Sequence, residues 1–490
     1  MAQLAITPPR QAALSLPRPS GPLLAAAYLI MAIVPLLLAR TQPVAPAHPW
    51  ELAGAALGMI AVWGMAVQFT TSGRFEVISG QLGIDKIMAF HRFAALWLGL
   101  AVVLHPLFYV LPTWMNDPEL GWLRLRFYLT DPAYRSGVVA LGAALVLIVS
   151  SMLRDALPWP YEAWRGLHLV LALIACLGGL HHAIAVGRFS AEGVLAGFWG
   201  LAALAVLGVV ATLYGWRWWL LHRREWRLAS VTRRADRMWE LDIQPAPGTP
   251  PLPYHAGQFV WMSEGRRRFP LFDHPFSIAD SPGRAGLSLL IKEAGDFTNR
   301  IGSLPAGRSI GIDGPYGEFT PAAHEADALL LIGGGVGVAP ILGILRDMVA
   351  RGETRPVRLA YAVGQPSNFA CLDELRAARG ALDLRLWLVS EDGPFDADMT
   401  EGRLTEARLA EMLDGLDPAR TKALICGPGP MVVGVSDSLL DLGMPMANVI
   451  YERFDYAGGA RSRQDRQRTR NILSVGAGLG LAVAGFALTG

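Results

Sequence analysis

Apolar residues are unevenly spread over the 490 positions: long apolar runs fill the first 220 residues and the last 20, and shorter alternating segments lie between. About 20 apolar residues cross a hydrocarbon core of roughly 30 Å as a helix. Six such helices are predicted near 22–39, 53–70, 88–111, 136–153, 163–187 and 193–215. A seventh candidate is "NILSVGAGLGLAVAGFALT" at 471–489.

From 225 to 320 the period shortens, with strand-like segments such as "HAGQFVWMS" and "LSLLIKEAG" separated by Gly and Pro, which predicts a small antiparallel β-barrel. At 328 "ALLLIGGGVGVAPILGIL" reads as a buried strand, a Gly-rich turn and a helix start. The strands "VRLAYAV", "LRLWLVS" and "KALICG" follow with helical stretches between them, a doubly wound α/β pattern. The expected fold is multidomain: an all-α six-helix transmembrane bundle, an antiparallel β-barrel and a doubly wound α/β domain, with a C-terminal transmembrane helix added. The expected segments are a disordered tail 1–20, the bundle 21–220, the barrel 221–322, the α/β domain 323–456, an Arg-rich linker 457–470 and the last helix 471–490.

A net charge of +2 carries no nucleic-acid signal, and the Arg-rich 461–470 stretch directly precedes an apolar span, as juxtamembrane charge does. Cys176, Cys371 and Cys426 are too few for a disulfide framework or a four-cysteine iron–sulfur cluster, which fits a reducing compartment. The Pro-rich N-terminus lacks the apolar region of a signal peptide. Placing it inside puts Arg10, Arg18, Arg74, Lys86, Arg154, Arg217, Arg223, Arg224 and Arg227 on the cytoplasmic side, and Arg40, Arg124, Arg126, Arg135 and Arg188 outside. The expectation is an integral protein of a bacterial inner (plasma) membrane with its soluble part in the cytoplasm.

Histidines bring in the chemistry. His91 and His105 are 14 residues apart in the third span, which leaves them within about 40° of one helix face and roughly 21 Å apart. In the fifth span His168 repeats that step with His182, whereas His181 is 13 residues on and about 140° off the face. A π-bulge between the two positions would reverse the choice. One intramembrane histidine is equally well a helix–helix hydrogen bond. Two pairs at matching spacing point to two b-type haems, since imidazole is a common axial ligand of haem iron. His91 and His168 would hold the inner haem, and His105 with His182 or His181 the outer one. The loop 112–135, with Trp114, Trp122, Phe127 and Tyr128, would cover the outer haem or form an interfacial aromatic belt.

In the soluble part Gly333, Gly335 and Gly337, with Pro340 at the helix start, would let a pyrophosphate approach a helix N-terminus. The barrel and α/β pair resemble ferredoxin-NADP reductase modules. Over about 75–456, including "GIDKIMAFHRFAALWLGLAVVLHP", the chain resembles the membrane flavocytochrome b family of NADPH oxidases and ferric reductases. The resemblance implies that His274, Pro275, Phe276 and Ser277 lie along FAD, with the Ser277 hydroxyl near flavin N5. It also implies that Gly295 and Thr298 meet the FAD pyrophosphate, with Lys292 as a nearby cation. "DGPYGEF" would link barrel to nucleotide domain, and Cys426, Gly427 and Pro428 would lie beside the nicotinamide, although Cys426 alone also reads as a small buried hydrophobe. Phe454 or Tyr456 would cover the flavin, but the added Arg-rich linker and apolar span depart from the simple family pattern. Gln365, Glu391 and Asp392 near the ribose favour NADH over NADPH.

The expected activity is electron transfer from NADH or NADPH through FAD and two haems to a small external acceptor, with no protein partner required. Bis-histidine irons offer no open site, so the acceptor is dioxygen, giving superoxide, or chelated ferric iron. The alternatives are a haem-free membrane-anchored flavin reductase and a reductase that feeds a partner protein.

Overall fold

The computed structural model describes residues 21–72, 84–190, 193–265, 267–321, 325–393, 396–453 and 461–489. Two compact units divide them, one built from 21–72, 86–215 and 467–489 and the other from 84–85 and 216–466.

The first unit is helical: α1 (Gly21–Ala39), α2 (Pro49–Gln68), α3 (Ile84–Asn116), α4 (Pro118–Thr130), α5 (Arg135–Met152), α6 (Tyr161–Val186) and α7 (Val194–Val210). A π-helical turn, Ala211–Trp216, continues α7 into α8 (Arg217–Arg223). Among the described residues seven helical segments are long and apolar enough to cross a membrane: Pro22–Ala39, Pro49–Gln68, Lys86–Asn116, Pro132–Met152, Tyr161–Val186, Val194–Arg223 and Arg463–Leu488. The α2 segment is the most enclosed, 61% of its apolar window being buried. Its Ala53, Gly54, Ala55 and Ala56 present little side chain, so neighbouring backbones approach closely. At the C-terminal end of the chain, the Arg40 guanidinium donates to the Phe486 and Thr489 carbonyls at 2.7 and 2.8 Å, putting a cation at the negative end of a helix.

Residues 118–130, within the segment read as a loop, are helical. Asp117 accepts the Leu120 amide at 3.1 Å, and Pro118 occupies a first-turn position that needs no N–H donor. Capping of this kind does not register in hydrophobic periodicity.

The second unit holds two sheets. In the first, β1 (Trp226–Ala235), β2 (Met238–Pro245), β3 (Phe259–Glu264), β4 (His274–Ser277), β5 (Leu287–Lys292) and β6 (Ser309–Tyr316) pair antiparallel in the order β4-β3-β6-β1-β2-β5. A single bridge from Ile278 to Leu289 joins the chain just past β4 to β5. The second sheet is parallel, β10-β9-β8-β7-β11-β12, made from β7 (Ala328–Gly334), β8 (Val357–Val363), β9 (Leu384–Ser390), β10 (Met399–Glu401), β11 (Thr421–Gly427) and β12 (Val449–Arg453). Its helices are α9 (Val338–Arg351), α10 (Leu372–Ala377), α11 (Glu406–Leu413) and α12 (Gly429–Asp441). Every residue of β7 is buried, as in a parallel strand covered on both faces.

Helix α9 ties the two sheets together. A methyl group on Gly343 would lie 2.5 Å from the Ile278 carbonyl oxygen, so only glycine lets the helix reach the chain that follows β4. One turn on, Arg346 donates to Glu240 at 2.7 Å, to both Glu374 oxygens at 2.6 and 2.8 Å, and to the Ala279 carbonyl. Burial alone would raise the Glu240 pKa, but the Arg346 and Arg234 guanidinium groups outweigh it and hold the carboxyl below its usual range. A depressed carboxyl stabilises the fold above its unfolded value of about 4.3 and loses that contribution as pH falls through the native value.

Arg346→Met should therefore leave the buried Glu240 carboxylate with Arg234 as its one remaining cation and destabilise the second unit by about 2 kcal/mol at pH 7. The loss should shrink as pH falls through the carboxylate range, because burial makes Glu240 take up a proton at higher pH once Arg346 is gone. Thermal unfolding of wild type and variant between pH 3 and 7 measures this, and a pH-independent difference would refute it.

Candidate functional site

The histidine pairs meet inside the helical unit. His91 on α3 and His168 on α6 have ring centres 6.3 Å apart, and His105 on α3 and His182 on α6 have theirs 6.4 Å apart. Two imidazoles on opposite sides of one metal ion, each nitrogen about 2 Å from it, have ring centres about 6 Å apart. Helix α6 runs without a π-bulge through this region, so the 14-residue step carries His182 to His105 and leaves His181 exposed.

The ring nitrogens indicate which atom is available to a metal. His105 Nδ1 lies 2.7 Å from the Gly54 carbonyl, which can only accept, so Nδ1 carries the proton and Nε2 keeps its lone pair in the neutral ring. His168 Nδ1 lies 3.2 Å from Ser151 Oγ, whose own hydrogen is directed at the Leu147 carbonyl at 2.7 Å, so again Nδ1 donates. His91 Nδ1 and His182 Nδ1 are buried with no hydrogen-bond partner among the described residues. Glycines make room for the rings: a methyl group on Gly58 would lie 2.6 Å from His105 Nδ1, and one on Gly137 would lie 2.5 Å from His182 Nδ1. Spacing, ring nitrogens and glycine clearance all fit a metal held between each pair.

In the soluble unit β4 runs antiparallel to β3, with Ser277 opposite Phe259 and His274 opposite Met262. Alternation puts His274 and Phe276 on one face, and both stack on Phe297, with ring centres 4.2 and 6.1 Å away. Pro275 lies between them, exposed, and Ser277 is buried. Thr298 Oγ1 accepts the Ala294 and Gly295 amides at 2.8 and 2.9 Å, closing the turn just past Lys292 at the end of β5.

The Gly-rich turn is packed from both sides. Gly335 has φ +56°, a left-handed conformation suited to glycine, with open space around it. Any side chain on Gly337 would run into the Cys426 carbonyl, while Gly333 pairs in register with Cys426. Gly427 comes within 3.0 Å of the Gly334 Cα when given a methyl group, and Pro428 caps α12. Pro340 is buried in the first turn of α9, and Gln365 is exposed beyond the end of β8. Glu391 at the end of β9 is held by Arg403 through two contacts of 2.9 and 3.1 Å. Phe454 and Tyr456 lie outside the described residues.

Three family models match in series: a ferric reductase like transmembrane component over 57–179, an FAD-binding domain over 225–320 and an oxidoreductase NAD-binding domain over 331–437. The chain belongs to the ferric reductase and NADPH oxidase family. In chain order these models place a ferric reductase-like membrane domain ahead of the FAD-binding and NAD-binding domains of an oxidoreductase.

Among curated relatives, the reductase component of propane 2-monooxygenase from Mycolicibacterium smegmatis is 33% identical over 36% of this chain and 53% of its own. Flavohemoprotein A of Dictyostelium discoideum is 22% identical over 52% of this chain and 67% of its own. The chain spans about half the length of the first curated relatives it matches. Among solved structures, flavohemoglobin from Malassezia yamatoensis aligns with TM-score 0.45 and 17% identity over 77% of this chain and 98% of its own. A ferredoxin NADP+ reductase from Neisseria gonorrhoeae gives 0.41 and 20% over 47% and 97%.

Three features of this family member escaped the sequence reading. Gly54 and Gly58 form a Gly-x-x-x-Gly step, a signal for close helix packing that was there to be found. Ser151 and Gly137 carried none, because their roles depend on which helix lies opposite. Burial pushes the Cys426 thiol well above its ordinary value and raises Cys371 to about 12, so both are thiols at neutral pH. Iodoacetamide at pH 8 should leave both unmodified in the native protein and alkylate both after unfolding, as read by peptide mass spectrometry. Rapid native labelling of Cys426 would contradict the burial argument.

Proposed function

We propose that this ferric reductase family member transfers electrons across a membrane, from cytosolic NAD(P)H through FAD and two b-type haems to an external acceptor, ferric chelate or dioxygen. Bound here, FAD would supply hydride acceptance and the haems single-electron relay. The observation that carries the reading is the matched spacing of the two histidine pairs, 6.3 and 6.4 Å between ring centres. Fourteen helical residues separate the storeys by roughly 21 Å, most of a hydrocarbon core of about 30 Å.

The chain's own residues have distinct tasks in this reading. Gly54 and Ser151 hold the His105 and His168 rings so that Nε2 points away from the hydrogen-bonded edge. Ser277 presents a hydroxyl for flavin N5, while Lys292 and the turn closed by Thr298 take the FAD pyrophosphate. Gly335 and Gly337 admit the nucleotide pyrophosphate at the start of α9, and the Cys426–Pro428 segment lines the nicotinamide. Gln365 and Asp392 face the ribose, which favours NADH, although Arg403 neutralises the neighbouring Glu391. Positive-inside bias supports a cytoplasmic soluble part and an inner-membrane location, with domain limits near 220, 322 and 456.

Anaerobic difference spectra of the purified protein test this. NADH should reduce a low-spin b-type signal to the level that dithionite reaches. His105→Ala and His182→Ala should each remove about half of that signal and lower reduction of an external ferric chelate at least ~100-fold. Reduction of FAD by NADH should persist. Haem content unchanged in His91→Ala and His168→Ala would overturn the ligand assignment, and an absence of haem in wild type would leave a membrane-anchored flavin reductase.

A further inference from the structure

A cavity of about 790 Å³ opens at the end of the antiparallel sheet where β3 finishes and β6 begins. Arg267, Arg268, Arg300, Arg308 and His222 line it, with Glu264 and Glu225 as its carboxylates. Both carboxylates are engaged: Glu264 by Arg300 and Arg308 at 3.4 and 3.2 Å, and Glu225 by Arg227 at 3.6 Å. Neither Arg267 nor Arg268 has an ion-pair partner among the described residues. Arg268 Nε and Nη1 and Ser309 Oγ are buried there without a hydrogen-bond partner. Buried donors in that state call for an acceptor, and clustered guanidinium groups with a hydroxyl suit the oxygens of a phosphate.

The chain next to the cavity argues for where that phosphate comes from. His222 is the next-to-last residue of the 30-residue apolar helical segment Val194–Arg223. Trp216, Trp218 and Trp219 on the same stretch are 55, 47 and 41% exposed, Trp216 stacks on Trp219 at 4.7 Å, and the Arg223 guanidinium lies 5.3 Å from the Trp219 ring. Exposed tryptophans beside arginines at the end of an apolar helix mark the headgroup level of a bilayer. Six residues of helix, Trp216 to His222, rise only about 9 Å, so the cavity lies at that level.

We propose that this cavity binds the phosphate of an anionic phospholipid headgroup, held chiefly by Arg267, Arg268 and Ser309. Lys292, Gly295 and Thr298, which the functional reading gives to the flavin phosphates, do not line it. Arg300 lies two residues beyond Thr298, so the flavin's own phosphate is the competitor the experiment has to separate.

The full-length, FAD-loaded protein is placed in phosphatidylcholine nanodiscs with and without phosphatidylglycerol, and bound lipid is counted by native mass spectrometry. Wild type should retain phosphatidylglycerol in preference to phosphatidylcholine. Replacing both residues, Arg267→Gln with Arg268→Gln, should weaken that preference about 30-fold, at roughly tenfold or less for each charge lost near a headgroup. FAD content should not change. The charge-keeping pair Arg267→Lys with Arg268→Lys should retain most of the preference and guards against a folding artefact. Three results would overturn the proposal: preference undiminished in the Gln pair, FAD lost in step with lipid, or inorganic phosphate alone raising the melting temperature as much as phosphatidylglycerol does.

Discussion

Inside a bilayer no water is available to satisfy a polar group, so a buried imidazole on α3 or α6 can be satisfied only by the bundle itself or by what the bundle holds. The arrangement of the helical unit follows from that constraint. The Gly54 carbonyl on α2 accepts from His105 Nδ1, and the Ser151 hydroxyl oxygen on α5 accepts from His168 Nδ1. Two helices that carry no histidine pair thereby set the ring orientation of two that do. The remaining ring edges come together in pairs at 6.3 and 6.4 Å, a spacing with room for one ion and its bonds.

The second unit meets a different constraint, the relative placement of the two turns, on separate sheets, that the proposed function gives to phosphates. Helix α9 begins at the Gly-rich turn and, at Gly343 and Arg346, locks onto Ile278, Ala279 and Glu240. Ser277 immediately precedes that contact. One helix therefore spans from the Gly-rich turn to the residue beside the proposed flavin edge, and the buried Arg346–Glu240 pair holds it in register. A further charge contact closes the last strand: Asp465 takes Arg453 at 2.6 Å and the Tyr451 hydroxyl at 2.7 Å, and it exchanges hydrogen bonds with Ser462 in a capping box.

Much of this was legible in the residues. Long apolar runs located the membrane helices, and the equal 14-residue steps identified which helices face each other, because a regular helix turns by a fixed angle per residue. The change from alternating to buried strands at 328 marked the passage from antiparallel to parallel sheet. What stayed hidden depends on partners distant in sequence. Arg346 and Glu240 are 106 positions apart, and no local pattern joins them. Gly137 looks like any small residue in a membrane helix until His182 is seen against it. Helix α4 is set by its cap at Asp117 and not by an apolar stripe, and Arg403 changes the charge that Glu391 presents only once the loop after β10 folds back.

Gly58 shows how little latitude such a site leaves. Each missense change that a single base can make in a glycine codon adds at least one carbon to the α position, and here that carbon would arrive 2.6 Å from the His105 ring nitrogen. Alanine and aspartate would meet the same first obstacle, because both have a β carbon, and aspartate would add the cost of a charge inside the membrane. The smallest step away from glycine at 58 therefore already reports the clearance around an imidazole.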